Sequence, residues 1–147
     1  MDSYRAIENL LSRYAELIDA GDFAAVGQLF ARATILAPAG DTGFQGAAQV
    51  QGMYDAATKV YEDGTPRTQH IMSNIRIEVD EAAGTARAWL RFTVLQALPD
   101  FPLQVIIAGR YEDRLARDDN GWYFTERRML PQLLGDLSRH LLIDLAG

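Results

Sequence analysis

The sequence predicts an α+β fold. Apolar residues recur at helical spacing through the N-terminal part of the chain, the period turns strand-like after Asp63-Gly64-Thr65-Pro66, and short turn signals then separate one extended run from the next. Helices gathered at one end and a strand meander at the other mark α+β rather than α/β, in which the two alternate. Long, strongly twisted strands can curl around packed helices and leave a pocket.

The first helix is expected from about Ser3 to Ala20. Ile7, Leu10, Leu11, Tyr14, Leu17 and Ile18 form one apolar stripe, Asp2 or Ser3 caps the start, and Gly21 supplies the stop. Asp22 caps a short second helix through Phe23, Val26, Leu29 and Phe30. A brief strand at Thr34–Ala37 is broken by Pro38. Gly40, Gly43 and Gly46 mark a loop or hairpin, and their spacing is not the dinucleotide-binding fingerprint. A third helix is expected from Ala47 to Tyr61, with Val50, Met53, Tyr54, Ala57 and Val60 on its apolar side. Four strands follow: His70–Val79, Thr85–Ala97, Leu103–Leu115 and Trp122–Leu130. The turns between them are short, so neighbours pair antiparallel. Asp136–Ala146 reads as a closing helix over the pocket mouth, with Leu133-Leu134 and Leu141-Leu142 as its apolar side. No repeat or linker interrupts the chain, which reads as one domain over 1–147.

Composition narrows the function. At 147 residues and 48% hydrophobic, the chain suits one domain with a core that needs no staples. It has no cysteine, which excludes disulfides, a thiol nucleophile and sulfur-ligated metal. Net charge is −6 and no Lys/Arg cluster stands out. Arg127-Arg128 falls on a strand, whose alternation sends the two side chains to opposite faces, so nucleic acid is not an expected partner. The start, MDSYRAIENLL, has no cationic and apolar leader, and the longest apolar stretch, Val105-Ile106-Ile107-Ala108-Gly109, is far short of the ~20 residues of a membrane span. No membrane association is expected, and the cytoplasm is the expected compartment. His70 and His140 are far apart and form no recognisable metal-ligand set, so neither metal nor organic cofactor is expected.

Several of these residues carry a resemblance. Ile7-x2-Leu10-x3-Tyr14-x4-Asp19, with Asp22 and Leu29-Phe30, resembles the first two helices of the SnoaL-like family, part of the nuclear-transport-factor-2-like superfamily. Thr68-Gln69-His70-Ile71-x2-Asn74 is similar to its histidine strand, and Gly109-Arg110-Tyr111-x-Asp113 and Gly121-Trp122-x-Phe124-x2-Arg127 to its last two strands. The resemblance implies a cone-shaped curved antiparallel sheet wrapped around the N-terminal helices. Within the superfamily the likeness is to scytalone dehydratase, bile acid 7α-dehydratase and hexachlorocyclohexane dehydrochlorinase. It implies a cofactor-independent lyase of the dehydratase type, with Asp19, His70, Tyr14 and Arg127 as catalytic residues. The dehydrochlorinase has no tyrosine where Tyr14 stands, which makes the role of Tyr14 the least transferable. Relatives associate through the outer sheet face, which implies a homo-oligomer, trimer before dimer; Trp89, Leu95 and Ile106 are the apolar residues such a face would bury.

The chemistry of these residue types is coherent. Elimination next to an activated carbon needs a base, and imidazole titrates near working pH. A carboxylate on one ring nitrogen fixes the tautomer, the role Asp19 would have for His70. Tyr14 would donate to a carbonyl or departing hydroxyl, and Arg127 would stabilise developing negative charge. Read without the resemblance, each residue also has a plain structural role. His70 is a strand residue facing with Met72 and Asn74, Asp19 lies off the apolar stripe in the last helical turn, and Tyr14 packs in the core. Arg127 pairs across the sheet with a neighbour such as Glu112 or Asp113, and His140 is a surface residue of the last helix. For the pocket wall the bulky candidates are Phe30, Met53, Tyr54, Trp89, Phe92, Leu95, Ile107 and Met129, with Asn74 as a polar substrate contact. They point to an apolar, polycyclic or aromatic small molecule. Ketosteroid-isomerase or polyketide-cyclase chemistry begins with the same proton abstraction. A non-catalytic small-molecule-binding module, or a scaffold like the dioxygenase small subunit, is the alternative of another class.

Overall fold

Asp2 accepts the Arg5 backbone N–H and starts helix α1 (Ser3–Asp19), which buries Ile7, Leu11, Tyr14, Leu17 and Ile18 on one side. The computed structural model describes residues 2–145. Gly21 ends the helix at φ +74, and a Cβ there would lie 2.1 Å from the Gly64 carbonyl oxygen, so this close turn requires glycine. The helix therefore stops at Asp19 and delivers its carboxylate at the end of the rod. Asp22 accepts the Ala25 N–H and caps α2 (Phe23–Leu29). A hairpin of β1 (Thr34–Leu36) and β2 (Gly43–Gln45) leads into α3 (Gly46–Ala57). Four long strands follow: β3 (Thr68–Asp80), β4 (Thr85–Leu98), β5 (Phe101–Asp118) and β6 (Gly121–Leu134).

The strands form one curved open sheet in the order β2-β1-β6-β5-β4-β3. All neighbours are antiparallel except β1 and β6, which pair in parallel with Ile35 opposite Arg127. The concave face carries Ala86, Ala88, Leu90, Phe92 and Val94 of β4 and Tyr111, Asp113 and Leu115 of β5. These strands alternate inward and outward at period two, as a half-covered sheet demands. Each large apolar side chain fully buried here contributes about 1.5–3 kcal/mol. Gly109 is required on β5 because a Cβ would meet the Phe92 ring at 2.8 Å, and that ring stacks on Tyr111 with centroids 4.4 Å apart.

Register shifts in the long strands set which residues face inward. In β3 the register shifts between Ser73 and Arg76, with Asn74 in the left-handed region at φ 52. Strict alternation would send Ile77 away from the side of His70 and Met72. The bulge returns Ile77 and Val79 to the core, and it leaves Asn74 exposed. In β5 the register shifts between the Val94↔Ile107 and Leu95↔Val105 pairs. Ile106 is the extra residue, fully buried, and not part of an uncovered outer face as the sequence suggested. Further shifts fall between Gln96 and Leu98 of β4 and, opposite β6, between Ala108 and Gly109 and between Arg114 and Leu115.

Two expected elements differ. The third helix ends at Ala57 rather than Tyr61, because Thr58 turns extended at φ −112 and pairs with Leu141. The closing helix does not form over the described residues, and Ala146, its expected end, lies outside them. Asp136 instead accepts from the Ser138 N–H and hydroxyl, a single turn follows, and the strand-like bridge to Thr58 takes the backbone bonds a helix would have used. Tertiary hydrogen bonds outweigh the weak helical preference of so short a segment. No described helix is long and apolar enough to cross a membrane.

Candidate active site

The concave sheet face, α1, α3, the β1–β2 hairpin and the C-terminal strap (136–145) border an open cavity of about 970 Å³. Its wall is mainly apolar: Ile18, Met53, Phe92, Val94, Ile107, Met129, Leu137 and Leu141 among others, with Tyr14, Tyr54, His70, Tyr111 and His140 as polar groups. That volume and lining suit a small organic molecule held mostly by apolar contact and oriented by a few polar ones.

Asp19 and His70 meet at the edge of this cavity. The Asp19 carboxylate lies 2.6 Å from His70 Nδ1, accepts the His70 backbone N–H at 2.7 Å, and accepts the Thr68 hydroxyl at 3.0 Å. The three contacts tie the end of α1 to the start of β3. An ionised carboxylate only accepts, so Nδ1 carries the proton and Nε2 is left with a free lone pair. The His70 side chain is 7% exposed and lines the cavity, while Asp19 stands behind it. The Tyr14 ring meets the His70 ring edge-on, with centroids 6.2 Å apart.

Beside the imidazole sits a cluster of three phenols. The Tyr14 hydroxyl is 2.8 Å from that of Tyr54 and 3.4 Å from that of Tyr111. Three hydroxyls hold three protons, and two contacts use at most two of them, so one O–H remains for a molecule in the cavity. Burial pushes the Tyr54 and Tyr111 phenols well above their ordinary range, reinforced by the neighbouring Tyr14, so both stay protonated donors.

Arg127 is elsewhere. Its guanidinium makes two 2.8 Å bonds to Asp113, and both side chains are fully buried. Burial alone would lower the guanidinium, but the Asp113 charge more than reverses this and holds it above its ordinary value. Burial pushes the Asp113 carboxyl up and Arg127 draws it back down, and the two-pronged geometry is that of an ionised pair. The Arg127 guanidinium carbon lies 3.9 Å from the Tyr111 ring centroid and 4.3 Å from that of Tyr14. Arg127 therefore underlies the phenols as a cation against their rings and does not line the cavity, contrary to a direct role on substrate charge.

Of the expected wall, Met53, Tyr54, Phe92, Ile107 and Met129 line the cavity. Phe30 does not: it is sealed in the core, stacked on Phe124 at 4.7 Å. Trp89 and Leu95 lie on the outer face, Trp89 between Arg76 and Arg87, because alternation from Phe92 and Val94 turns odd-numbered β4 residues outward. Asn74 is carried away by the bulge. Sequence reasoning missed Tyr111 and His140 as cavity residues. Tyr111 had a signal, two positions before Asp113 on one strand face; His140, expected at the surface, had none and is 8% exposed.

A curved six-stranded sheet closed by helices around an apolar cavity defines the nuclear-transport-factor-2-like, cystatin-like class. Residues 1–128 match the model of the SnoaL-like domain, and the chain belongs to that family. Among solved structures it is similar to a nuclear-transport-factor-2-like protein with a cystatin-like fold from Novosphingobium aromaticivorans, at 18% identity over 86% of this chain and 80% of that one, with a TM-score of 0.69. It is similar to a protein of the same organism named as a candidate scytalone dehydratase, at 20% identity over 90% and 86% of the two chains and a TM-score of 0.69. It is also similar to ActVI-ORFA from Streptomyces coelicolor, at 14% identity over 88% and 97% and a TM-score of 0.71. A search of curated proteins finds no significant match. The fold is one associated with dehydratase- and cyclase-type enzymes.

Proposed function

We propose that this protein is a cofactor-independent lyase of the dehydratase type, acting on an apolar, ring-containing compound with a hydroxyl placed β to a carbonyl. The observation that carries the reading is the 2.6 Å contact between Asp19 and His70 Nδ1 at the wall of an apolar cavity. His70 Nε2 takes the proton from the carbon next to the carbonyl, and the electron pair moves onto the carbonyl oxygen. A phenol of the Tyr14–Tyr54–Tyr111 cluster donates to that oxygen as its charge grows. The enolate then collapses, the C–C double bond forms, the C–O bond breaks, and His70 returns its proton so that the hydroxyl leaves as water. Asp19 holds the ring in one tautomer and stabilises the imidazolium between the two transfers.

The test uses a β-hydroxytetralone, whose dehydration gives a fluorescent naphthol. The wild-type protein is expected to accelerate naphthol release, and His70→Gln to lose that activity with its fold retained. Exchange of the α-hydrogens with deuterated water, without water loss, would move the reading to the isomerase or cyclase alternative. Binding without exchange or elimination would reduce it to a binding module.

The same reading extends to assembly as a homo-oligomer, trimer before dimer. Ile71, Thr93, Ala108 and Leu133 form one row across four strands of the outer face, with Leu95 and Val105 in the next, and Leu133 is 71% exposed. An apolar row of this kind is a self-association surface. Sedimentation of the wild type as a monomer at micromolar concentration would refute it.

A further inference from the structure

His140 lines the same cavity and has no part in the reaction above. Its residue is 8% exposed, and its Nδ1 has no hydrogen-bond partner among the described residues. Its backbone, by contrast, is pinned. The His140 N–H donates to the Leu137 carbonyl at 3.1 Å, and its carbonyl accepts the Lys59 N–H at 2.8 Å. The adjacent Arg139 carbonyl accepts from Gln96 Nε2 at 3.0 Å and from the Tyr61 hydroxyl, and the Arg139 guanidinium holds Asp100 at 2.9 and 3.0 Å. The strap thus fixes where the imidazole stands without using the ring.

Buried polar atoms in native proteins nearly always have a partner, and leaving one unmade is costly. The ring borders the cavity, so a molecule bound there is the partner within reach. A half-turn about the Cβ–Cγ bond breaks no bond at Nδ1 and presents either nitrogen. Burial first, and the nearby His70 second, lower His140 to about 4 against the opposing pull of Asp19, so near neutral pH the ring is uncharged. An uncharged imidazole has one N–H donor and one acceptor, and so fits a hydroxyl as well as a carbonyl.

We propose that His140 is a ligand-contacting, specificity-determining residue, held by the C-terminal strap to hydrogen-bond a second oxygen of the substrate, so that the cavity selects apolar ring compounds bearing two oxygen functions over those bearing one. The first oxygen is the one received by the tyrosine cluster, so the inference rests on the reading of the cavity as a substrate site.

Calorimetric titration with β-naphthol and with naphthalene diols, one with adjacent hydroxyls and one with hydroxyls on opposite rings, tests it. The wild type is expected to bind at least one diol about tenfold more tightly than β-naphthol. His140→Phe is expected to lose the preference, the diol and β-naphthol then binding within about twofold of each other. His140→Leu serves if phenylalanine disturbs the strap, both being checked by thermal melting, and His140→Gln is expected to restore part of the preference. A merely structural histidine would change both ligands alike. A wild type without the preference, or a preference that survives in the apolar variants, overturns the role of His140 alone. The cavity reading is followed separately by weakened β-naphthol binding in Tyr14→Phe, and absence of any naphthol binding to the wild type overturns both.

Discussion

Two carboxylates of this protein each hold a nitrogen base, and they differ in where the pair sits. Asp113 and Arg127 face each other on the last two long strands, sealed at the base of the tyrosine cluster, with both side chains fully buried. Asp19 and His70 join the end of a helix to the first long strand at the edge of the cavity, with Asp19 21% exposed. The first pair is two-pronged and without access, and its guanidinium lies against aromatic rings. The second has one contact through a ring whose other nitrogen is open to the cavity. Similar pairs therefore give a sealed structural clamp in one place and an imidazole bordering a cavity in the other, and the difference between them is access rather than residue type.

The largest effect expected from breaking this contrast is on stability, at the sealed pair. Arg127→Met leaves an uncompensated buried carboxylate and should cost about 3–5 kcal/mol in urea denaturation, while Arg127→Met with Asp113→Leu should recover most of that loss. An exposed or water-filled site would show neither the loss nor the recovery. At the cavity pair the signature inverts. His70→Gln should lower turnover of the hydroxytetralone by about 10²–10⁴-fold while changing stability by no more than about 1 kcal/mol.

His140 sharpens the comparison through pH. Its folded value of about 4 lies below that of an unfolded histidine, about 6.5, so the unfolded chain binds more protons between the two. Its contribution is full above about pH 6.5 and is lost as pH falls towards 4, by about 3 kcal/mol. Denaturation midpoints of wild type and His140→Leu, compared at neutral and acid pH, isolate this term, because the variant lacks the acid-side loss. The smallest effect is expected at the hinge between the two regions. Tyr14→Phe removes a hydroxyl that bonds Tyr54 while keeping the ring against Arg127, and should cost about 1 kcal/mol. A loss several times larger would mean that the hydroxyl network, rather than the ring, supports the guanidinium.

The order and type of most elements were legible from local pattern. The stripe of α1, the glycine that ends it, the Asp22 cap and the period change before β3 are all written in neighbouring residues, and such signals survive because burial of one face governs each. The end of the chain was not legible, since Asp136–Leu145 has the composition of a helix but finds better hydrogen bonds on Thr58 and Lys59, far away in sequence. The same limit applies at the site. Residue types and family spacing singled out Asp19, His70, Tyr14 and Arg127, but the approach of helix end to strand start, and the capture of Arg127 by Asp113, are long-range distances.

What the sequence determined by itself is the α+β order, the capped helices and the four long strand segments after Pro66. What only the tertiary structure decided is which side of the sheet each functional group occupies. Bulges at Asn74 and Ile106 shift the parity of their strands, the Arg127–Asp113 pairing removes a cation from the cavity, and the strap carries His140 into it. Local periodicity records a face only relative to its own strand, so one inserted residue or one distant partner reassigns it.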